Sequence, residues 1–434
     1  MIGRDLELGL ALERWGQAKR GEGQLVLLSG EAGIGKSRIT RALIDTVSQE
    51  NPARVSYQCS PYYSRSPLYP AVQHLRLAIG IEEADDDGEK LRKLQRTKGP
   101  ANPLLPIFAS LIDLKCYESD ALAGLNPQQL RARTLDGLVD DILGAAARRP
   151  LLFVIEDIHW IDATTLELLD QCVDRIQNAR VMMMVTTRPS FEHGFGGHPI
   201  VTKLALDRLG REQTTAFIEK LGGDIRLPPT IVNKIIATTD GVPLFIEELT
   251  KSVLETHQFD RVAVFEEDHA RSADLDIPLT LHDSLMARLD RLQPVKEVAQ
   301  MAACIGREFR QDLLGSVTRL SAVELEEALD KLVDAELVFR RGRGSDARYT
   351  FKHALVRDAA YHSMLKSVRQ DIRSRLADKL GLELTVEPEL VAHHIIAARR
   401  YREAAECFLQ AGRAAAARSA NAEAVAHSRA PWTL

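Results

Sequence analysis

The chain has 434 residues, too many for a single hydrophobic core, so about two to four domains are expected. Hydrophobic residues make up 45% and charged residues 27%, as in ordinary globular proteins, and a formal net charge of −5 gives no electrostatic reason for non-specific nucleic-acid binding by the whole chain. No run approaches the roughly 18 apolar residues of a helical membrane span, and Met1 to Glu7 is too polar for a signal peptide, so a cytoplasmic protein without membrane contact is expected.

In chain order, Gly3-Arg4-Asp5-Leu6-Glu7-Leu8 leads through a helical pattern (Leu6, Leu8, Leu10, Leu12, Trp15) to the apolar run Leu25–Leu28. That run suits a strand buried on both faces of a parallel sheet. Gly30-Glu31-Ala32-Gly33-Ile34-Gly35-Lys36-Ser37 follows and fits the phosphate-loop pattern G-x-x-x-x-G-K-[ST]. Ile39, Leu43, Ile44 and Val47 then recur at helical spacing, which predicts a helix from near Lys36. Strand, loop and helix N-terminus form an anion cradle: glycines let backbone N–H groups close on phosphates, and the helix end adds partial positive charge. Lys36 would neutralise the β- and γ-phosphates, and the Ser37 hydroxyl would ligate Mg²⁺. A glycine-rich turn that matches by chance is the alternative, and both flanks speak against it.

Arg54–Cys59 reads as a second strand and Ser60–Pro67 as a turn-rich loop. From Tyr69 to Ala147 the pattern is mostly helical, interrupted by the acidic tract Glu83 to Asp87 and by Gly99-Pro100, Pro103 and Pro106; no chemistry is evident there. Leu151–Ile155 is a third buried strand, and it ends in Glu156-Asp157. Carboxylates at the C-terminal end of such a strand lie where ligands bind in open α/β sheets. In a phosphate-loop protein they serve Mg²⁺ and the attacking water, with the division between Glu156 and Asp157 left open. The plainer reading is a pair of acids capping the next helix, a role that suits Asp162. Val181–Val185 is a fourth strand, whose three methionines read as sheet core. It ends in Thr187-Arg188-Pro189, where Arg188 either reaches a γ-phosphate or faces solvent. Thr202–Leu206 completes a three-layer α/β domain with a mostly parallel sheet, residues 1–208.

Helical spacing over Arg211–Leu221 and Ile231–Thr238, then Gly241-Val242-Pro243 before another helix, suggests a helical lid at 209–256. Residues 257–276 are polar and read as linker. Over 277–365, helical patterns at Leu279–Leu292, Val295–Ile305, Arg310–Val317 and Ala322–Glu336 precede a hairpin, Leu337–Arg341 and Arg348–Phe351. Helices followed by a hairpin suggest a winged-helix domain. Its wing carries Arg340, Arg341, Arg343 and Arg348 against Asp346, a set that either contacts nucleic acid or is merely solvated. Residues 366–434 are alanine-rich, with one helix pair of the tetratricopeptide kind around Ala392, Tyr401, Phe408 and Ala411. Stacked repeats need neighbours, yet the pattern stops at Pro431-Trp432-Thr433-Leu434, so the array is expected to be cut short. Five scattered cysteines (Cys59, Cys116, Cys172, Cys304, Cys407) without a C-x-x-C pair suit reduced thiols.

Gly3–Leu8, Gly30–Ser37, Tyr57–Pro61, Glu156–Asp162, Thr187–Pro189, Gly241–Leu249, Ser284–Leu292 and Phe351–Tyr361, in this order, resemble the signal-transduction ATPases with numerous domains (STAND). More narrowly, they resemble the ATPase module that follows a class III adenylate/guanylate cyclase domain in many bacterial proteins; Orc-like ATPases and LuxR-type activators are further relatives. The resemblance implies that Arg4 lies near adenine and ribose, that Gly30, Gly33, Gly35, Lys36 and Ser37 hold the phosphates, and that Glu156 and Asp157 are the paired metal-strand acids. It also implies that Arg188 is the sensor arginine, that Pro243 packs on the base, and that His353 approaches the β-phosphate of ADP; a plain core or surface histidine is the alternative for the last. The expected function is an ATP-driven switch, slow in hydrolysis, closed with ADP and open with ATP and Mg²⁺, self-associating in the ATP state and partnered by a nucleotide cyclase or another signalling protein. Alternatives are a DNA-bound ATPase of the initiator or activator kind and a non-catalytic nucleotide-binding scaffold. No cyclase domain is expected ahead of Met1, so cyclase activity is expected to have no residues here to carry it. The short helical tail implies a truncated product or a stand-alone switch.

Overall fold

The expected strands become five parallel strands: β1 (Gln24–Ser29), β2 (Ala53–Gln58), β3 (Leu151–Glu156), β4 (Val181–Thr187) and β5 (Val201–Ala205). This is a computed structural model, and it describes residues 2–82, 85–114, 117, 122, 124–192, 194–256, 280–292, 295–342, 344, 347–381 and 388–429. The strand order is β2-β3-β4-β1-β5. Ser29 pairs with Thr187 and Ala205, and Gln58 with Glu156, so all five strands end along one edge. β4 therefore separates the strand that feeds the glycine loop from the strand that ends in acids.

β4 is buried along its whole length, and the period of two along a strand sends Met183 to one face of the sheet and Met182 and Met184 to the other. On the second face, helices Asp5–Lys19 and Lys36–Val47 bring Trp15, Ile39 and Leu43 against Val26, Leu28 and Val154. The first face carries the insert, which resolves into helices Tyr69–Ile79, Asp87–Lys98, Leu105–Leu111 and Pro127–Arg148, together with Ala163–Arg175. Asp162 caps Ala163–Arg175 as expected, accepting from the Thr165 N–H at 2.8 Å.

Three helices, Arg211–Gly222, Pro229–Thr239 and Pro243–Thr256, share a small core of Ile218, Ile235, Ile246 and Leu249. Beyond it, one core runs from Leu285 to Ala404. It joins helices Leu281–Arg291, Val295–Ile305, Gln311–Val317 and Ala322–Asp334 to an antiparallel sheet and then to Ala354–His362, Lys366–Gly381 and Pro388–Ala397. The expected hairpin, β7 (Val338–Arg341) and β8 (Arg348–Phe351), gains a third strand, β6 (Glu308–Arg310), in the order β6-β8-β7. The helix expected from Arg310 accordingly starts at Gln311. Phe309 causes the difference, packing on Tyr349 with ring centroids 5.6 Å apart. Arg340 pairs with Asp330, and Arg348 lies 3.6 Å from Glu308, so part of the hairpin's charge is neutralised within its own unit. Arg343, Asp346, Cys116, the proposed linker 257–276 and the final Pro431-Trp432-Thr433-Leu434 lie outside the described residues.

The last helices fold back onto the first domain. Tyr401–Ala417 packs on Pro388–Ala397 through Phe408 and Ala392, and Asn421–Arg429 follows. Buried Glu423 accepts from the Thr164 N–H and hydroxyl, both at 2.7 Å, at the N-terminus of Ala163–Arg175. The His427 ring nitrogen Nε2 stands 2.9 Å from the Arg65 carbonyl. Among the described residues no helix is long and apolar enough to cross a membrane.

Candidate nucleotide site

Gly33 and Gly35 adopt φ +78° and +109°, the left-handed region that glycine tolerates without strain. At Gly30 a Cβ would lie 2.7 Å from the Ile34 side chain, so the loop closes this tightly only with glycine. Lys36 opens its helix and is 9% exposed; its ammonium donates to the carbonyls of Gly30 at 2.7 Å and Glu31 at 2.9 Å. Burial lowers its pKa, the charge of Asp157 opposes that, and Arg188 adds to it. A desolvated ammonium with two carbonyl partners is a cation held ready over the loop.

The Ser37 hydroxyl, in the first turn of helix Lys36–Val47, stands close enough to the Glu156 carboxylate to lower its pKa. Burial pushes the Glu156 carboxyl up, Arg307 pulls it down and Asp157 pushes it up again. Asp157 sits at φ +57°, its N–H donating to the Thr186 hydroxyl of β4 at 2.9 Å. Its Oδ2 lies 3.4 Å from the Gln58 amide of β2 and 3.4 Å from the Arg307 guanidinium. Arg188, exposed at the end of β4, has its guanidinium 5.7 Å from the centre of the Trp160 ring. The sheet edge thus brings together Lys36, Ser37, Glu156, Asp157 and Arg188.

Arg4 is 6% exposed, donating to the Ile34 carbonyl at 3.2 Å and to the Asp207 carbonyl, with Glu7 at 3.1 Å. It ties the start of the chain to the loop and to the end of β5. Beside it, a cavity of about 550 Å³ is lined by Gly30, Glu31, Ile34, Pro189, Asp207 and Arg208. Pro243 occupies the first turn of Pro243–Thr256, and the N–H of Leu244 donates to the Gly33 carbonyl at 3.2 Å. Gly241, at φ +71°, permits this approach, because a Cβ there would lie 2.2 Å from the Leu209 carbonyl oxygen. The third small helix is therefore seated on the phosphate loop.

His353 lies farther out, at the N-cap of Ala354–His362 and against that same helix. Its ring nitrogen and carboxylate oxygens of Glu247 and Glu248 lie within 4.8 Å of one another. Glu247, Lys251, Glu336 and Lys352 form a ring of ion pairs beside it, with Lys352 at 3.0 Å from both acids and Lys251 at 3.1 Å from Glu247. Burial drives the His353 pKa down to about 4; Glu247 opposes this, while Lys352, Arg307 and Lys251 reinforce it. A base whose folded pKa lies below its unfolded value of about 6.5 takes up protons first in the unfolded chain. Its contribution to stability is complete above about pH 6.5 and is lost as pH falls toward about 4. Thermal melts of His353→Gln across this window should show the variant gaining on the parent chain as pH drops. A constant offset would mean that His353 titrates normally.

The sequence reading passed over three neighbours of the acids. Arg307 comes from a unit about 150 residues away, and nothing in Gly306-Arg307-Glu308-Phe309 signals a site. Gln58 ends the strand that pairs with β3, so only the register reveals it. His159 follows the acids by two residues, and both of its ring nitrogens are buried without a partner among the described residues. That position was the one available signal. As a donor set, the hydroxyl of Ser37 and the carboxylates of Glu156 and Asp157 are hard oxygens gathered at one end of the sheet, which fits Mg²⁺.

Residues 1–185 match the family model of the AAA ATPase domain. Over those residues the chain is similar to AAA ATPase domains. An uncharacterized protein of Rhizobium meliloti (strain 1021) is 27% identical over 434 residues, covering 98% of this chain and 42% of the relative. The chain therefore spans less than half the length of that relative. A STAND protein with a tetratricopeptide repeat sensor from Pyrococcus horikoshii aligns with TM-score 0.46 at 13% identity, over 98% of this chain and 57% of that one. A chain of the Drosophila ORC bound to DNA aligns with TM-score 0.35 at 11% identity, over 83% and 86%. These structural likenesses are too distant to assign a role to any residue.

Proposed function

We propose that the chain is a slow ATPase acting as a signal-transduction switch of the STAND kind, closed with ADP and open with ATP. The carrying observation is the assembly at one sheet edge: the buried Lys36 ammonium over the glycine loop, with Ser37 beside Glu156 at the end of β3. Triphosphate oxygens would take the place of the Gly30 and Glu31 carbonyls on Lys36. The cavity between the loop and residues 205–208 would take the nucleoside, with Arg4 behind its wall and Pro243 at its lid. Mg²⁺ would be held by Ser37 together with Glu156 or Asp157, and when bound it neutralises phosphate charge. Whichever acid does not serve the metal would orient the attacking water, and Arg188 would read the γ-phosphate. Residues 1–208 form the nucleotide domain, 209–256 the lid, 277–365 a winged-helix domain and 366–434 a tetratricopeptide-like segment. His353 would close over the nucleotide from the winged-helix side, with self-association as the output of the open state.

Single-turnover phosphate release, compared among the parent chain, Glu156→Gln and Asp157→Asn, tests this reading, with nucleotide affinity measured separately. The expected result is nucleotide binding in all three and release suppressed in at least one variant. Binding without release in the parent chain would instead make the protein a scaffold.

A further inference from the structure

Arg307 is an unexpected presence among the acids. Its Nη1 lies 3.4 Å from Asp157 Oδ2, and its charge is also felt at Glu156 and at His353. Arg307 belongs to the C-terminal unit, not to the sheet that carries the acids. Its carbonyl accepts from the Phe351 N–H at 2.9 Å, which anchors it just before β6. His353 leaves the same sheet two residues beyond Phe351, so one edge of the small sheet carries both residues toward the first domain. The preceding Gly306 passes over Tyr62, where a Cβ would lie 3.9 Å from the ring, on the loop that follows β2.

The guanidinium is lightly held. Its Nε is buried without a partner among the described residues, and the side chain remains 38% exposed. Arg288, by contrast, is 5% exposed and bonded to both Glu248 and Ala335. A lightly held cation on a carboxylate that a divalent ion needs is in direct competition with that ion, since both neutralise the same charge.

We propose that Arg307 is a built-in counter-cation of the metal-binding acids, which occupies Asp157 until Mg²⁺ and nucleotide displace it and so couples the metal state of the site to the C-terminal unit. The inference rests on the nucleotide reading above. Release of Arg307 frees the β6–β8 edge, and with it Lys352, whose pair with Glu247 joins that sheet to the lid helix. Coupling therefore needs no contact between Arg307 and a phosphate.

The test is titration of the full chain with Mg²⁺ at fixed concentration of a fluorescent ATP analogue, for the parent chain, Arg307→Ala and Arg307→Lys. Hydrogen exchange over residues 338–353 is followed in parallel. Arg307→Ala should reach half-saturation at Mg²⁺ concentrations lower by about tenfold, while Arg307→Lys, which keeps the charge, should stay near the parent value. Exchange over 338–353 should rise on adding Mg²⁺ and nucleotide to the parent chain and be raised already in Arg307→Ala. An unchanged Mg²⁺ requirement in Arg307→Ala overturns the proposal, as does slower hydrolysis with the Mg²⁺ midpoint unmoved, which would make Arg307 a phosphate-contacting residue. Failure of the parent chain to bind nucleotide at all would be a failure of the nucleotide reading, distinguishable from both.

Discussion

Lys36→Ala should lower nucleotide affinity by roughly 30- to 1000-fold, the cost of about 2–4 kcal/mol expected when one partner of a desolvated charge pair is truncated. The glycine loop would survive, since its shape comes from Gly30, Gly33 and Gly35 and from the Leu244–Gly33 bond, none of which needs the ammonium. What disappears is the ammonium that donates to the Gly30 and Glu31 carbonyls, while Arg4 stays on the Ile34 carbonyl. Burial already disfavours that charge in the folded chain, so its removal should leave the melting temperature within a few degrees of the parent value, at roughly 1 kcal/mol or less. Isothermal titration with ATP, paired with a thermal melt, separates the two effects. Full ATP affinity in a folded Lys36→Ala chain would remove the site assignment altogether.

Local chemistry made the first domain legible. β1, β3 and β4 show as apolar runs with nothing polar inside them, and the three consecutive methionines of β4 suit a strand buried on both faces. The phosphate loop and the Asp162 cap were legible for a similar reason, since their residue types perform their roles within a few positions of each other. β6 was not legible: three residues hold too little alternation to separate a strand from the start of a helix, and only Tyr349 and Phe351 across the sheet decide it.

The contacts that close the molecule were hidden for a different reason. Arg307 on Asp157, Arg357 on Tyr62 and Glu423 on Thr164 join polar residues of surface-like sequence across 150 to 295 positions, and none leaves a period or a spacing. Glu423 illustrates the physics. A carboxylate at a helix N-terminus is favoured by the free N–H groups there, yet the sequence cannot say which helix a distant acid will find. His353 was reachable only through a resemblance, and its partners Glu247 and Lys352 emerge only once the small sheet meets the lid helix.

That same junction carries the largest expected loss of stability, at Arg288→Ala. Arg288 and Glu248 are 5% and 1% exposed, and the guanidinium also donates to the Ala335 carbonyl at 2.8 Å. Truncating it strands a buried carboxylate and a carbonyl, a defect that costs about 3–5 kcal/mol and should lower the transition of the C-terminal unit by roughly 10 °C. Burial already pushes the Glu248 carboxyl up, with Arg288 the first force opposing it, so the variant's acid should bind protons more tightly still. An acid with a folded pKa above its unfolded one is stabilised while protonated, and that stability is lost as pH rises. The deficit of Arg288→Ala should therefore be smallest near the ordinary carboxyl range and widen toward neutral pH, which melts in a pH series would show. Arg288→Met combined with Glu248→Leu removes both charges at once and should recover most of the loss. If the double variant melts no higher than Arg288→Ala, Arg288 acts through the Ala335 carbonyl and its packing, and the ion pair contributes little to joining the lid to the C-terminal unit.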